Sequence, residues 1–197
     1  MREMITMVVV LTVLSALSGG LLSGLKSATA SKIEVQQLKF VKGPAIKEIL
    51  KGASNDPIAD RFALKDGEME RKFFIGKFDG KANTVVLESS GKGYGGDVGL
   101  MVAVNIENDR IVGVGVTTHS ETPGLGATAK EDPGFVSQFK GMPIEKTFKV
   151  TNDGGKINAI SGATITSRAV CSAASDAGMI YQKLKPQIEE KLKTLSK

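Results

Sequence analysis

The chain is short of the residues that most catalytic centres are built from: one Cys, one His, two Tyr and no Trp among 197 residues. A single thiol, Cys171, forces no intramolecular disulfide and so leaves the redox compartment open. A free Cys is most often a small buried residue, and Cys171 is read that way. The one imidazole, His119, has no second ligand or nucleophile beside it in sequence, so no metal site is expected. General acid–base work with nearby Glu121 is the alternative for that residue. At 5% aromatic residues, stacking platforms for single-stranded nucleic acid are scarce. The net charge of +5 comes from Lys dispersed among Asp and Glu, which describes a solvated surface and not a stripe that tracks phosphates. No nucleic-acid partner is expected.

Charge is missing altogether from Met4 to Leu25. As a helix this stretch reaches about 33 Å, the thickness of a hydrocarbon core. The rival is a cleaved signal peptide, with Arg2 before the run and Ala28-Thr29-Ala30 as a small-residue cleavage site. The run exceeds the ~7–15 residues of a signal core, and Gly19, Gly20 and Gly24 are tolerated in membrane helices, so a retained anchor is the favoured reading. Arg2 precedes the span while Lys26 and Lys32 follow it, so the count of positive residues does not orient it.

The remainder, 41% hydrophobic over the whole chain, is enough for one real core. Ile33, Leu38, Val41, Ile46, Ile49 and Leu50 follow partial helical spacing, which predicts a helix, a break at Gly43-Pro44 and a second short helix. Two hairpins follow: residues 73–88 around Asp79-Gly80-Lys81, and residues 98–118 around Glu107-Asn108-Asp109. In the last of these strands Gly113 and Gly115 alternate with valines. That bare face suits a close-packed helix or a flat ligand. Ser89 to Gly96 reads as a flexible loop, with a phosphate cradle made by its glycines as the alternative, and Pro123-Gly124-Leu125-Gly126 as a loop first rigid and then permissive. Asp132-Pro133 starts a short helix. Residues 147–150 and 156–160 read as a final hairpin, and a helix from Thr164 to Pro186 precedes a charged amphipathic tail.

The chain turns on Ser161-Gly162-Ala163-Thr164, set between that last strand and the long helix. A helix N-terminus offers unpaired N–H groups and the positive end of the macrodipole, a ready site for a phosphate. Gly162 and Ala163 leave room for a bulky group. The plain alternative is that Ser161 or Thr164 is an N-cap. Arg168, one turn on, is either a second phosphate contact or a solvated surface residue.

Asn158-Ala159-Ile160-Ser161-Gly162-Ala163-Thr164 resembles the flavinylation motif Asp-x-x-Ser/Thr-Gly-Ala-Thr of the FMN-binding domain family, with Asn158 where the family usually has Asp. Gly93 to Gly96 and His119 to Gly126 resemble segments of the G subunits of Rnf-type electron-transport complexes, and more distantly the C subunits of sodium-pumping quinone reductases. The resemblance implies a single α+β FMN-binding domain, with a mainly antiparallel sheet and packed helices, behind one transmembrane helix. The expected divisions are an anchor over 1–27, a helical linker over 28–65, the domain over 66–185 and the tail over 186–197. It implies FMN held covalently on Thr164, with Ser161, Gly162, Ala163, Tyr94, Glu121, Thr122 and Leu125 around it, no catalytic residue of the chain's own and no metal. It further implies a lipid bilayer, the other complex subunits and, transiently, a flavin transferase as partners. The domain is expected on the extracytoplasmic side of the cytoplasmic membrane. The alternatives are a quinone-reductase C subunit and a membrane-tethered FMN-binding or scaffold domain without a redox partner complex.

Overall fold

The computed structural model describes residues 1–195; the last two residues of the expected tail, 196 and 197, lie outside the described residues. Two compact units are present, Met1–Phe40 and a second that starts at Val41. The first is essentially one helix, α1 (Arg2–Gln37), none of whose residues is buried. The Thr6, Thr12 and Thr29 hydroxyls each donate to the carbonyl four residues back, so these polar groups are satisfied within the helix. The N-terminal helical run is long and apolar enough to cross a membrane.

A π-helical turn, Leu38–Lys42, leads into α2 (Gly43–Ile49). The expected break at Gly43-Pro44 is instead the first turn of α2, where proline has no intrahelical N–H to lose. Part of the segment expected as a linker belongs to the second unit: Ile46 and Leu50 are buried, and a strand not expected from the sequence, β1 (Arg61–Asp66), lies within it.

The sheet is an antiparallel meander of β1, β2 (Met69–Phe78), β3 (Lys81–Lys92), β4 (Asp97–Asn105) and β5 (Arg110–Val116), in that spatial order. Asp79 and Gly80 both adopt positive φ, 53° and 76°, as the tightest hairpin turn between right-twisted strands requires. Both expected hairpins are present. The expected loop from Ser89 is shorter, because Ser89–Lys92 pair with Asp97–Leu100 and only Gly93 to Gly96 turn the chain.

Register sorts the sheet into two faces. Phe73, Leu87, Val102 and Val114 lie in one cross-strand row and join the main core. The next row, Phe74, Val86, Ala103 and Gly113, faces α2. A Cβ on Gly113 or Gly115 would lie 3.1 or 3.0 Å from Ile49, so the bare glycine face is the seat of a packed helix and not of a flat ligand. Lys42 fastens the same side by an ion pair of 2.6 Å to Glu88.

The main face carries α5 (Thr164–Leu195), packed on β3 and β4 through Ala169, Ala173, Ala174 and Ala177, with the expected buried Cys171 beside them. Burial pushes the Cys171 thiol up to about 12, which marks it as a packing residue. Pro186 does not end α5, contrary to the helix stop expected there. Ile188 and Leu192 beyond it are buried in the main core, so tertiary packing outweighs the one hydrogen bond that Pro186 removes. The Asp109 carboxylate at the β4–β5 turn accepts from Tyr181 Oη at 2.6 Å and Lys185 Nζ at 2.6 Å, fixing this end of the helix.

The short helices α3 (Thr128–Glu131) and α4 (Pro133–Ser137) follow β5, and Asp132 caps α4 by accepting from Gly134 N at 2.8 Å, as its Asp-Pro start predicts. The final hairpin does not form. Val150 and Ile157 make a single parallel bridge around a 3₁₀ turn, Thr151–Asp153. The chain doubles back so tightly that a Cβ on Gly155 would lie 1.9 Å from the Lys149 carbonyl, which leaves no length for an antiparallel ladder.

Candidate functional site

Without a ladder, residues 158–163 are held by side chains. The Gln138 carboxamide accepts from Asn158 N at 2.7 Å and donates to its carbonyl at 3.2 Å, standing in for a neighbouring strand. Ser167 Oγ accepts from Ile160 N and donates to the Ala163 carbonyl, each at 3.0 Å. Gly162 then turns the chain at φ 75°, a conformation that costs little only for glycine, and α5 begins at Thr164. Neither Ser161 nor Thr164 is the N-cap. Among the described residues their hydroxyls have no hydrogen-bond partner, and the hydroxyl that ties the turn to α5 is that of Ser167. Thr164 is half-buried, and the first-turn N–H groups from Thr164 to Thr166 have no intrahelical acceptor.

Beside this helix end lies a cleft of about 490 Å³. Gly162, Ala163 and Thr164 form one wall, Glu121, Thr122 and Leu125 another, and Tyr94 a third. Seven of the eight residues expected at the site are therefore brought together from three distant stretches; Ser161 alone does not line the cleft. Gly126, Ile165 and Thr166 also line it, outside the eight expected residues. Thr166 carried a weak signal, a second hydroxyl two residues after Thr164, whereas Gln138 carried none.

Glu121 is 6% exposed, and both of its carboxylate oxygens accept hydrogen bonds. It accepts from Gly95 N at 2.8 Å, from Tyr94 N at 3.3 Å and from the Thr166 hydroxyl by a short hydrogen bond. Two amides of the candidate phosphate cradle are thus spent on a protein carboxylate, and the Gly93 amide on the Gly96 carbonyl. Burial opposes the charge of Glu121, but the bonds from Thr166, Gly95 and Tyr94, with the charge of His119, hold its carboxyl below the ordinary range. His119 Nδ1 accepts from Glu121 N at 3.4 Å, which gives the imidazole a place in the loop's own structure. Pro123 and Gly124, the latter at φ 74°, form a tight turn closed by Leu125 N on the Thr122 carbonyl. Arg168 does not point to the cleft wall as a free cation: its Nε and Nη2 grip Asp153 at 2.7 Å each and pin the turn before the motif.

The charge of Glu121 predicts a pH signature. A folded pKa below the unfolded one gives stability that is present above the unfolded value, about 4.3, and is lost as pH falls through the folded value. Glu121→Gln is therefore expected to cost about 2 kcal/mol at pH 7, the usual worth of hydrogen bonds to a charged group. In denaturant titrations that difference should shrink at pH values below about 4. A difference that stays constant with pH would show that the carboxylate charge is not what the site uses.

An α+β domain with a cleft at a helix N-terminus, walled by a Thr-bearing turn and a Pro-Gly loop, is the arrangement found where residues 93–178 match the family model of the FMN-binding domain. The chain is 34% identical over 179 residues to the G subunit of the ion-translocating oxidoreductase complex of Methanosarcina acetivorans, covering 89% of this chain and 93% of that one. It is 31% identical to the protein of the same name from Pseudomonas aeruginosa, covering 89% and 87%. The crystal structure of Shewanella oneidensis NqrC is similar in fold, with a TM-score of 0.53 and 26% identity over 71% of this chain and 72% of that one. The chain belongs to the family of G subunits of ion-translocating oxidoreductase complexes.

Proposed function

We propose that this chain is the electron-carrier subunit of a membrane-bound, ion-translocating ferredoxin:NAD oxidoreductase, and that it relays electrons through FMN joined to Thr164 by a phosphoester. The observation that carries this reading is the Thr164 hydroxyl, without a partner among the described residues, at the N-terminus of α5 and in the wall of the cleft. The residues present fit the group. The cleft volume lies within the range of about 300–1,000 Å³ usual for cofactor sites. Unpaired first-turn N–H groups and the helix dipole suit a phosphate, and Leu125 and Ile165 supply apolar surface for a ring system. FMN, when bound, supplies one- and two-electron transfer. Thr164 fixes it in place, the N–H groups from Thr164 to Thr166 offset the phosphate charge, and Leu125 and Ile165 keep water from the ring.

Attachment is assigned to a separate flavin transferase acting transiently, as in the family the motif resembles, while the Glu121 carboxylate in the cleft wall is held by Tyr94, Gly95 and Thr166. The anchor in the bilayer would hold the domain on the extracytoplasmic side, among the other subunits of the complex. There a covalent tether has a physical use, because a flavin lost to the surroundings is not recovered. Identity to G subunits over most of the chain favours this reading over a quinone-reductase C subunit or a scaffold domain without a partner complex. The test uses spheroplasts of cells expressing the full chain with a flavin transferase. Protease added outside should release a fragment that fluoresces in a denaturing gel and whose flavin maps to the peptide holding Thr164. A protected fragment would overturn the sidedness, and a dark one the covalent attachment.

A further inference from the structure

Glu121 lines the cleft, and three hydrogen bonds tie its carboxylate to the protein around it. Two of the bonds come from the amides of Tyr94 and Gly95 in the β3–β4 turn; the third comes from Thr166, 2% exposed, in the first turn of α5. The glycines nearby are explained by this contact. A Cβ on Gly93 would lie 2.6 Å from the Glu121 carboxylate, and one on Gly126 2.6 Å from the Thr166 hydroxyl and 2.7 Å from Glu121 Cβ. On Gly95 it would lie 2.1 Å from the Ser120 carbonyl. Three glycines, two on the β3–β4 turn and one in the loop after Glu121, let the backbone close on one carboxylate. What the closure holds is Tyr94, which is 76% exposed, whose side chain has no hydrogen bond among the described residues, and which borders the cleft. An exposed aromatic ring on a four-residue turn keeps a fixed place only if its backbone is fixed, and the two amides at Tyr94 and Gly95 are what Glu121 grips.

We propose that Glu121 is a positioning residue that acts through Tyr94: with Thr166 it clamps the β3–β4 turn to α5 and so sets the tyrosine ring at the mouth of the cleft, against the flavin. This rests on the reading that FMN occupies the cleft from Thr164. The variants are Glu121→Gln, Thr166→Val and Thr166→Ser, made in the full chain. A carboxamide offers one acceptor oxygen and turns an NH₂ group toward donors, whereas valine removes only the hydroxyl and serine keeps it.

Two measurements separate the clamp from the flavin reading. In the unflavinylated chain, hydrogen exchange at the Tyr94 and Gly95 amides should speed up at least tenfold in Glu121→Gln and Thr166→Val and stay near the parent rate in Thr166→Ser. In the flavinylated chain, native flavin fluorescence should rise severalfold in Thr166→Val, because a phenol in contact with an excited isoalloxazine quenches it by electron transfer. Tyr94→Leu should give the same rise, and the double variant Thr166→Val with Tyr94→Leu no further one. Unchanged amide exchange in Thr166→Val would overturn the clamp, and faster exchange with unchanged fluorescence would overturn its action through Tyr94. Absence of covalent flavin from the parent itself would refute the Thr164 reading instead, while the exchange measurement still decides the clamp.

Discussion

Coexpressed with a flavin transferase, Thr164→Ala is expected to lose all covalent flavin while keeping the fold and stability of the unmodified chain to within about 1 kcal/mol. The expectation comes from comparing the hydroxyls around the turn. Thr166 is buried and bonded to Glu121, and Ser167 both donates and accepts within the backbone of the motif. Ser161 is exposed but lies outside the cleft lining. Thr164 alone combines a free hydroxyl, a place in the cleft and the dipole end of α5. Its removal costs the fold little, since the hydroxyl makes no hydrogen bond and Ala is a good helix former in the first turn. Thr164→Ser should keep the flavin. Covalent flavin that persists in Thr164→Ala, whether moved to Ser161 or elsewhere, would sink the assignment; a variant that fails to fold would show that the side chain has a structural part beyond carrying its hydroxyl.

The site was more legible than the segments that hold it. Thr164 sits where a strand-like run meets a helical pattern, and local spacing together with a short motif is sufficient to find such a place. Tyr94, Glu121 and Leu125 were named from resemblance, and only the meander brings them to the end of α5, because strand pairing over tens of residues is not written in any local window. Their roles were less visible still. The glycines around Tyr94 suggested a phosphate cradle, but the Gly95 amide donates to Glu121, a partner 26 residues away, and the Gly93 amide to the Gly96 carbonyl. The final hairpin was read from β-forming residues at 147–150 and 156–160, and local propensity lost there to the tight turn at Gly155 and to Gln138, a side chain from another segment. Pro186 misled in the opposite sense. A proline in a helical pattern is a stop signal when only the sequence is weighed, and Ile188 and Leu192 show that burial beyond it carries the helix through. β1 was missed because it offers just Phe62 and Leu64 on its inner side, too few for an alternation to stand out.

The largest effect on stability is expected from Gly91→Ala. Gly91 lies on β3 where α5 crosses it, and a Cβ there would sit 2.0 Å from the carbonyl oxygen of Ala169 and 3.1 Å from its Cα. The clash is with backbone, between a strand paired with β4 at this point and the second turn of a long helix, so it cannot rotate away as a side chain would. The helix has to lift from the sheet, opening the alanine-packed seam along Ala173 and Ala177, and the loss should be about 3 kcal/mol or more. Gly113→Ala is the control: its new Cβ would meet the side chain of Ile49 at 3.1 Å, which can shift by a few tenths of an ångström, and the cost should stay below about 1.5 kcal/mol. The contrast also reaches the site. Gly91 is two residues before the turn that carries Tyr94, and Ala169 is five after Thr164, so lifting α5 at this point separates the two walls of the cleft. Denaturant unfolding of the full chain in detergent should therefore show Gly91→Ala far below both the parent and Gly113→Ala, and flavin incorporation should fall with it. A Gly91→Ala variant within about 1 kcal/mol of the parent would mean that β3 and α5 have slack at their closest approach, and the rigid seam on which the cleft geometry depends would have to be given up.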